Sequence, residues 1–213
     1  MFKVKDVLDR VHILLEDEEQ DIWTREELVM WTNDAVLSLT NKKPDAYIKK
    51  SVIDLVEGTY QSLPADGTVL VRVLRDMGTH KAVTGLPFSV LDDQNPNWRM
   101  PVMSKVVQHY AYDDKDRKHF EVYPSVAAGV KVEILHGAVP ERVSLDDDEL
   151  PLGEEFINII VDWTLYRAWS KDDEAGDVRR AQMHLQAFMS ALGIKSDSEQ
   201  GIMANTRNDV GVQ

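Results

Sequence analysis

The 213-residue chain contains no cysteine, and this absence excludes several kinds of site. Without a thiolate there is no cysteine nucleophile, no CxxC redox pair, no cysteine-ligated zinc and no disulfide framework. Long apolar runs are also missing, because the most apolar stretch, Phe156–Trp169, is interrupted by polar residues. It falls short of the roughly 20 apolar residues that span a bilayer. The first nine residues lack the unbroken apolar core of a signal peptide, so we expect synthesis in the cytoplasm and no membrane contact.

Positive charge is scarce, since 24 Lys and Arg stand against 37 Asp and Glu and the net charge is −13. A protein whose main task is to grip a phosphate backbone needs a dense basic surface, so this class is disfavoured. Nine of the acidic residues lie in two runs, Glu16–Asp21 and Asp146–Glu149, which we interpret as solvated connections. Consecutive acids lack the alternation and the glycine of a calcium loop, so no calcium site is expected.

Familiar catalytic motifs are absent, because none of GxGxxG, GxxxxGK[ST], HExxH or GxSxG occurs. The six histidines show no metal-ligand spacing. His109 and His119 could face each other across a predicted hairpin, but a zinc site there would lack a third ligand. The five tryptophans are scattered, which favours packing in cores and interfaces. We therefore expect no catalytic residue, no metal site and no cofactor.

The N-terminal third is predicted to form two helices. The first has apolar residues at the three-and-four spacing of one buried face: Val4, Val7, Leu8, Val11, Leu14 and Leu15. The second begins with a capping box, in which Thr24 is the N-cap and Glu27 follows three residues later. It ends near Asn41, before Pro44. Its buried face is predicted to contain Leu28, Trp31, Ala35 and Leu39.

From about Ser51 the spacing becomes that of β-strands. A turn at residues 64–67 precedes the first predicted strand, and a polar stretch at residues 113–117 predicts a hairpin loop. Alternating apolar and charged residues predict a half-exposed strand near residue 132. The predicted strands are Val69–Leu74, Lys105–Tyr112, Lys118–Tyr123 and Val130–Ile134.

Helical spacing returns after Pro151. A helix over Gly153–Ser170 is apolar nearly all round, so its own fold or a neighbouring subunit must cover it. Arg167 on this helix is predicted to be a buried or interface residue, satisfied by a carboxylate or by helix-end carbonyls. A last helix is predicted to end at Gly193 as an αL cap, and the composition beyond it is that of an unstructured tail. The buried face of this helix is predicted to contain Val178, Ala181, Leu185, Phe188, Met189 and Leu192.

Helices followed by strands and then by helices predict an α+β fold. Its helical core comes from the N- and C-terminal helices, with an antiparallel β domain, a sandwich or small barrel, inserted between them. The predicted boundaries are 1–48 for the N-terminal helices, 50–143 for the β domain, 151–193 for the C-terminal helices and 194–213 for a C-terminal arm.

Several phrases, taken in order and with their spacing, resemble a family of tailed-bacteriophage structural proteins, the head-to-tail adaptor or connector proteins. The resemblance covers about residues 20 to 193. The most distinctive phrase is Val161–Asp172 (VDWTLYRAWSKD). The others are Trp23–Leu28, Trp31–Ala35, Gly58–Pro64, Leu91–Asp92 with Pro96–Trp98, and Phe120–Pro124.

The resemblance implies a non-enzymatic virion protein at the head–tail junction, assembled in the host cytoplasm. It would form a homo-oligomeric ring of roughly twelve copies beneath the portal protein, bound to tail or nozzle proteins. The ring would line a conduit for DNA ejection without sequence-specific binding. The resemblance places Trp163, Tyr166, Arg167 and Trp169 at a subunit interface of the helical core. It makes the segment Ile194–Gln213 an extended arm that docks on the portal through Ile194, Ile202, Met203, Val210 and Val212.

Two other functions stay open. The β domain could be a binding module of a tail-associated protein that recognises a carbohydrate or a receptor. A hydrolase using an Asp/Glu pair would need a cleft with two carboxylates about 5–10 Å apart, one of them with a raised pKa.

Overall fold

The computed structural model describes residues 1–17, 21–145, 147–171 and 176–209, with side chains described as far as Gly193. The helices are α1 (Val4–Leu15), α2 (Arg25–Lys42), α3 (Phe88–Gln94), α4 (Ile157–Trp169) and α5 (Val178–Asp209), and short 3-10 turns lie at Pro44–Ala46 and Glu154–Phe156. The strands are β1 (Phe2–Lys3), β2 (Ile48–Asp54), β3 (Gly58–Ser62), β4 (Gly67–Asp76), β5 (Thr84–Gly85), β6 (His109–Ala111), β7 (His119–Val126), β8 (Lys131–Ala138) and β9 (Glu149–Leu150).

The chain divides into two compact units. The helical unit comprises Met1–Ala46 and Pro140–Gln213, and the β unit comprises Tyr47–Val139. The predicted α+β class is confirmed, with an inserted β domain built from separate sheets rather than a closed barrel.

The first two helices of the helical unit follow their local signals. In α1 the predicted face is buried at five positions, but Leu14 is 53 % exposed, so its predicted burial is wrong. The side chain and backbone of Thr24 exchange hydrogen bonds with those of Glu27, which confirms the capping box at the start of α2. The face of α2 that carries Leu28 and Trp31 is buried as predicted.

Helix α4 is the centre of the helical unit, because α1, α2 and α5 all pack against it. Its own fold therefore covers most of its apolar surface, which was one of the two possibilities that its composition left open. The residues of α4 that become buried are Ile157, Ile159, Ile160, Val161, Thr164, Leu165, Ala168 and Trp169.

Helix α5 begins where the Asp177 carboxylate accepts the N–H groups of Arg179 and Arg180 at 2.9 and 3.1 Å. Ala181, Phe188 and Leu192 are buried as predicted, whereas Val178 and Met189 are 72 % and 47 % exposed and their predicted burial is wrong.

Gly193 does not end this helix, because α5 continues to Asp209. The structure thus has a helix over residues 194–209, where composition predicted an unstructured tail and the resemblance an extended arm. A glycine costs only about 1 kcal/mol within a helix, and no proline follows it to remove a backbone donor.

The β unit consists of two sheets whose inner faces share one core. Strand order is β2-β8-β4 in the first sheet and β3-β7-β6-β5 in the second, and every pair is antiparallel except β5 with β6. Helix α3, which the sequence did not predict, packs Leu91 beside Trp98 and Ala111. The core between the sheets contains Leu55, Leu70, Val73, Val132 and Ile134 with Phe120, Val122 and Val126.

The predicted hairpin around residues 113–117 is present, since β6 pairs antiparallel with β7. Its register places His109 opposite Tyr123, while His119 lies opposite Ser62 on β3. The expectation that His109 and His119 face each other is therefore wrong. The partner of His109, Tyr123, lies four residues beyond His119 along β7.

Candidate functional site

All four residues predicted to lie at a subunit interface are on α4. The first of them, Trp163, lies between two aromatic neighbours. Its ring centroid is 4.8 Å from that of Phe188 on α5 and 5.4 Å from that of Tyr166, one turn along α4. Trp163 and Tyr166 are half-buried. The indole N–H of Trp163 finds no hydrogen-bond acceptor among the described residues. These two rings therefore combine a role in packing α5 with surface that another molecule can reach.

Arg167 is exposed in the structure, so of the two predicted positions, buried or at an interface, the single chain leaves only the interface. The guanidinium forms no ion pair with any residue in the described ranges. The reason is helical geometry: α1, α2 and α5 cover the rows of α4 that carry Thr164, Leu165 and Ala168, and Arg167 points away from those rows. A cation in this position is available to a partner.

Trp169 has the opposite position, since only 8 % of it is exposed. Its ring meets that of Trp23 edge-on at 5.1 Å, and the guanidinium of Arg180 lies 4.6 Å above it. The indole N–H of Trp23 donates to the carbonyl of Ala168 at 3.0 Å. The structure thus uses Trp169 to join the start of α2 to the end of α4 and the start of α5, within one chain.

The predicted arm falls largely beyond what the structure describes in detail. Ile194, Ile202 and Met203 lie on the backbone of α5, and Val210 and Val212 lie outside the described residues. The structure therefore places three of the five predicted arm residues on one helix.

The first acidic run is more than a solvated connection. Asp17 is only 8 % exposed, and its carboxylate accepts the backbone N–H groups of Asp21, Ile22 and Trp23 at 3.2, 3.1 and 3.0 Å. Burial opposes ionisation of Asp17, but these three donors outweigh it and hold the pKa of Asp17 below its ordinary value. The interpretation of this run as wholly solvated is wrong at Asp17, which ties the α1–α2 connection to the beginning of α2.

In the second run, Asp148 accepts the N–H groups of Ser144 and Leu145 at 2.8 and 2.9 Å. Exposed Asp147 forms an ion pair with Lys3 at 3.0 Å. The pKa of Lys3 is raised by the hydrogen bond and the charge of Asp147. Residues 18–20 of the first run and residue 146 of the second lie outside the described residues.

A groove of about 690 Å³ lies along the N-terminal half of α2 and faces residues 142–145 and Asp147. The side-chain amide of Asn33 holds that loop, because it donates to the carbonyl of Val143 at 2.8 Å and accepts the N–H of Val143 at 2.9 Å. Met30 and Leu145 line the groove and are 50 % and 66 % exposed. Sequence analysis missed this groove, although Met30 lies off the predicted buried face of α2, and an apolar residue in such a position was the available signal.

The hydrolase alternative requires a carboxyl group with a raised pKa, and the described residues show none. Every carboxyl group whose pKa is shifted there has it lowered, as at Asp92, where hydrogen bonds from Trp98 and Arg99 stabilise the carboxylate. A general acid at neutral pH needs a raised pKa instead. Within the same ranges no three His, Asp or Glu side chains converge as metal ligands. Nor does any helix described there have the length and apolar content needed to cross a bilayer.

Comparison of the sequence with known proteins identifies the family of the chain. The family described as SU10 adaptor protein matches residues 2–211, nearly the whole chain. Among curated proteins, none matches it. The family match confirms the resemblance to phage head-to-tail adaptors that the Trp23, Trp31 and Trp163 phrases carry.

Proposed function

The chain belongs to the SU10 adaptor protein family, a family of phage head-to-tail adaptors, and on that premise we propose that it forms a ring beneath the portal and joins the portal to the tail. The family match over residues 2–211 is the observation that carries this proposal. The protein is a structural component of the virion neck without catalytic activity, and it is assembled in the host cytoplasm. A closed ring of roughly twelve copies joins each subunit to the next through unlike surfaces.

The contact between neighbouring subunits involves the exposed part of α4 and other uncovered surface of the helical unit. Arg167 offers an exposed cation, and Trp163 and Tyr166 offer accessible aromatic surface beside it. Trp169 supports this contact from inside the chain by fixing the end of α4 against Trp23. Other side chains in the helical unit would gain about 1.5–3 kcal/mol each from full burial, and the most exposed of them are Met1, Ile13, Leu145 and Val178.

The portal-docking arm is the segment from Ile194 to Gln213. Its apolar residues, Ile194, Ile202 and Met203 on α5 with Val210 and Val212 beyond it, are the anchors. A helix of 32 residues extends roughly 48 Å at 1.5 Å per residue, so α5 is long enough to carry an anchor well away from the helical core.

The acidic composition suits a conduit for DNA. With a net charge of −13, a ring of such subunits repels the phosphate backbone and lets the duplex pass without adhering. No sequence-specific contact with DNA is needed for this role.

The test is a truncation after Gly193, mixed with portal rings and imaged by electron microscopy. We expect the full chain to form rings on the portal, while the truncated chain loses only the helical circular dichroism signal of residues 194–209 and fails to bind. The matched control is a full-length chain with Met183→Ser, because Met183 is an exposed residue of the same helix, at 58 %, and lies before the arm. This control should bind as the natural chain does. Unimpaired binding of the truncated chain would refute the arm, and absence of rings with the full chain would refute the adaptor proposal itself.

A further inference from the structure

Strand β2 forms an open, regular edge of the three-stranded sheet. It pairs with β8 at every position from Ile48 opposite Gly137 to Asp54 opposite Lys131, without a break in register. On its other side, no strand of the described chain pairs with it. The opposite edge strand, β4, has three breaks in its register with β8. A long, regular edge is a template for pairing with another chain, whereas bulges and irregularities discourage it.

The backbone groups that face outward from β2 follow from its hydrogen bonds. Leu55 donates to Val130 at 2.7 Å and accepts from Gly129 at 3.0 Å, so residue 55 faces β8. The carbonyl of Tyr47 also faces β8, since it accepts the N–H of Ala138 at 3.0 Å. Alternate residues of an antiparallel strand turn their backbone groups to the same neighbour. The even-numbered residues from Ile48 to Asp54 therefore present their N–H and C=O groups to the open edge, whereas the N–H and C=O of Val56 are bonded to the side chain of Gln61.

The side chains of those even-numbered residues share one face of the sheet and alternate between apolar and charged. Val52 is 50 % exposed, and Val56 just beyond the strand is 60 % exposed. The side chains of Lys50 and Asp54 are 55 % and 64 % exposed, and each already forms an ion pair within the chain, with Glu133 and Lys131. The edge thus has a cation, Lys50, near its start and an anion, Asp54, at its end. A valine lies two residues after each of them.

We propose that β2 pairs antiparallel with β2 of a second copy of this chain, about a twofold axis at Val52. In this register Val52 meets Val52 of the second copy, and Ile48 lies opposite Val56. Each Lys50 lies opposite Asp54 of the other copy, an arrangement that stabilises strand pairs. About six backbone hydrogen bonds form between the two edges.

Charge selects this register over its neighbours. An axis at Lys50 would place two lysines opposite each other, and an axis at Asp54 would place two aspartates opposite each other. Like charges in opposite positions destabilise a strand pair. An axis at Ser51 or Ile53 would set each charged side chain against an apolar one. With the axis at Val52, charges of opposite sign meet and apolar residues meet.

This contact is distinct from the ring. Neighbours in a cyclic ring join unlike surfaces, whereas a twofold contact joins like to like. The β2 pair therefore belongs to the free protein before assembly, where it covers an edge that would otherwise recruit other strands. It neither requires nor excludes the proposed adaptor ring.

The chain's lack of cysteine allows a direct test with Val52→Cys. Directly opposite residues of a hydrogen-bonded antiparallel pair have Cα atoms about 5.5 Å apart, within the range that a disulfide bridges. The matched control is Val71→Cys, because Val71 lies on β4 of the same sheet and is 47 % exposed against 50 % for Val52. Under mild oxidation we expect Val52→Cys to form disulfide-linked dimers at least about tenfold faster than Val71→Cys, since the dimer already holds the two cysteines side by side. Equal rates would overturn the proposal.

A second test addresses the backbone bonds. Proline at position 52 removes an N–H that faces the open edge and leaves the β8 ladder complete, whereas Val52→Thr keeps that N–H. By sedimentation velocity we expect the natural chain and Val52→Thr to be dimers and Val52→Pro to be a monomer with an unchanged circular dichroism spectrum. A Val52→Pro dimer, or a monomeric natural chain at every concentration, would refute the pairing. Val52→Pro should still form rings on portals. A natural chain that dimerises in solution but forms no rings would count against the adaptor proposal and not against this one.

Discussion

The two units of the protein each use a nearly buried aspartate to hold a turn, but at different distances along the chain. In the helical unit, Asp17 accepts N–H groups from residues four to six positions ahead, ending at Trp23. In the β unit, fully buried Asp76 accepts the N–H and hydroxyl of Thr79 at 2.7 and 2.9 Å and also the N–H of Val107 at 3.1 Å, 31 residues away. One carboxylate closes a local connection, and the other ties together two distant segments.

The units also differ in how their cores are built. The helical unit combines an aromatic interior, where Trp23 meets Trp169, with large apolar side chains on its surface, such as Ile13 at 75 %. The β unit encloses its main core between two sheets. A single helix can carry both kinds of residue, because on α4 the buried Trp169 lies two residues from the exposed Arg167.

The largest effect is expected from Trp169→Ala. Removing a buried tryptophan costs about 3–5 kcal/mol, and here it also leaves Trp23 without its edge-on neighbour. Urea unfolding followed by circular dichroism should show a transition of the helical unit at lower urea, with the β unit unaffected. An equal shift of the whole unfolding curve would show instead that the two units unfold together.

Asp76→Ala should come next, at about 3 kcal/mol, because buried N–H and hydroxyl donors lose their acceptor. The effect should fall on the β unit, where fluorescence of Trp98, the one tryptophan of residues 47–139, reports unfolding. Asp76→Asn is the control, since one remaining oxygen should preserve part of the stability. A change below about 1 kcal/mol in the alanine variant would contradict the role of Asp76 as a tie between segments.

Asp17→Asn should cost less, about 1–2 kcal/mol at neutral pH, because its contacts are local. Burial tends to raise the pKa of Asp17, but the backbone donors prevail and lower it. A lowered folded-state pKa stabilises the fold above the unfolded value of about 3.9, and this contribution is lost as the pH falls through the folded pKa. Unfolding free energies measured between about pH 5 and about pH 3 should therefore decline more steeply in the natural chain than in Asp17→Asn. Parallel declines would show that Asp17 carries no such linkage.

The smallest effect on stability is expected from Arg167→Ala, within about 0.5 kcal/mol in the free chain, because the side chain is exposed. The same variant should weaken ring formation on portals if Arg167 contacts the neighbouring subunit. Thermal unfolding of the free chain and electron microscopy of the assembly measure the two effects separately. A stability loss of about 3 kcal/mol would instead indicate a buried ion pair.

Local signals explain which parts of the fold were predictable. The Thr24–Glu27 capping box and the periodic apolar face specify α2 within a few adjacent residues, so they can be read without knowledge of the rest of the chain. Strand β2 was missed because Lys49 and Lys50 interrupt its apolar pattern, and their ion pairs with Asp66 and Glu133 exist only after distant strands meet. Helix α3 was missed because Leu91 is its one buried residue, too weak a period to recognise.

The candidate interaction surface was predictable only in part. The resemblance pointed to α4, but nothing in the spacing of Trp163, Arg167 and Trp169 indicates which of them faces α2 and α5. The groove beside Met30 depends on the bond between Asn33 and Val143, which are 110 residues apart. Contacts at such separations leave no local pattern, so they appear only once the chain is folded.

The sequence by itself determined the class of protein: its family, its α+β order of helices and strands, its acidity, and the absence of thiol chemistry. These properties depend on composition and on patterns within short windows. Tertiary structure alone decided that α4 is covered by its own chain, that Asp17 is buried, that Arg167 is exposed and that no described strand pairs with the outer edge of β2. The physical reason is that burial and exposure are properties of neighbours in space, and those neighbours come from residues far apart in the chain.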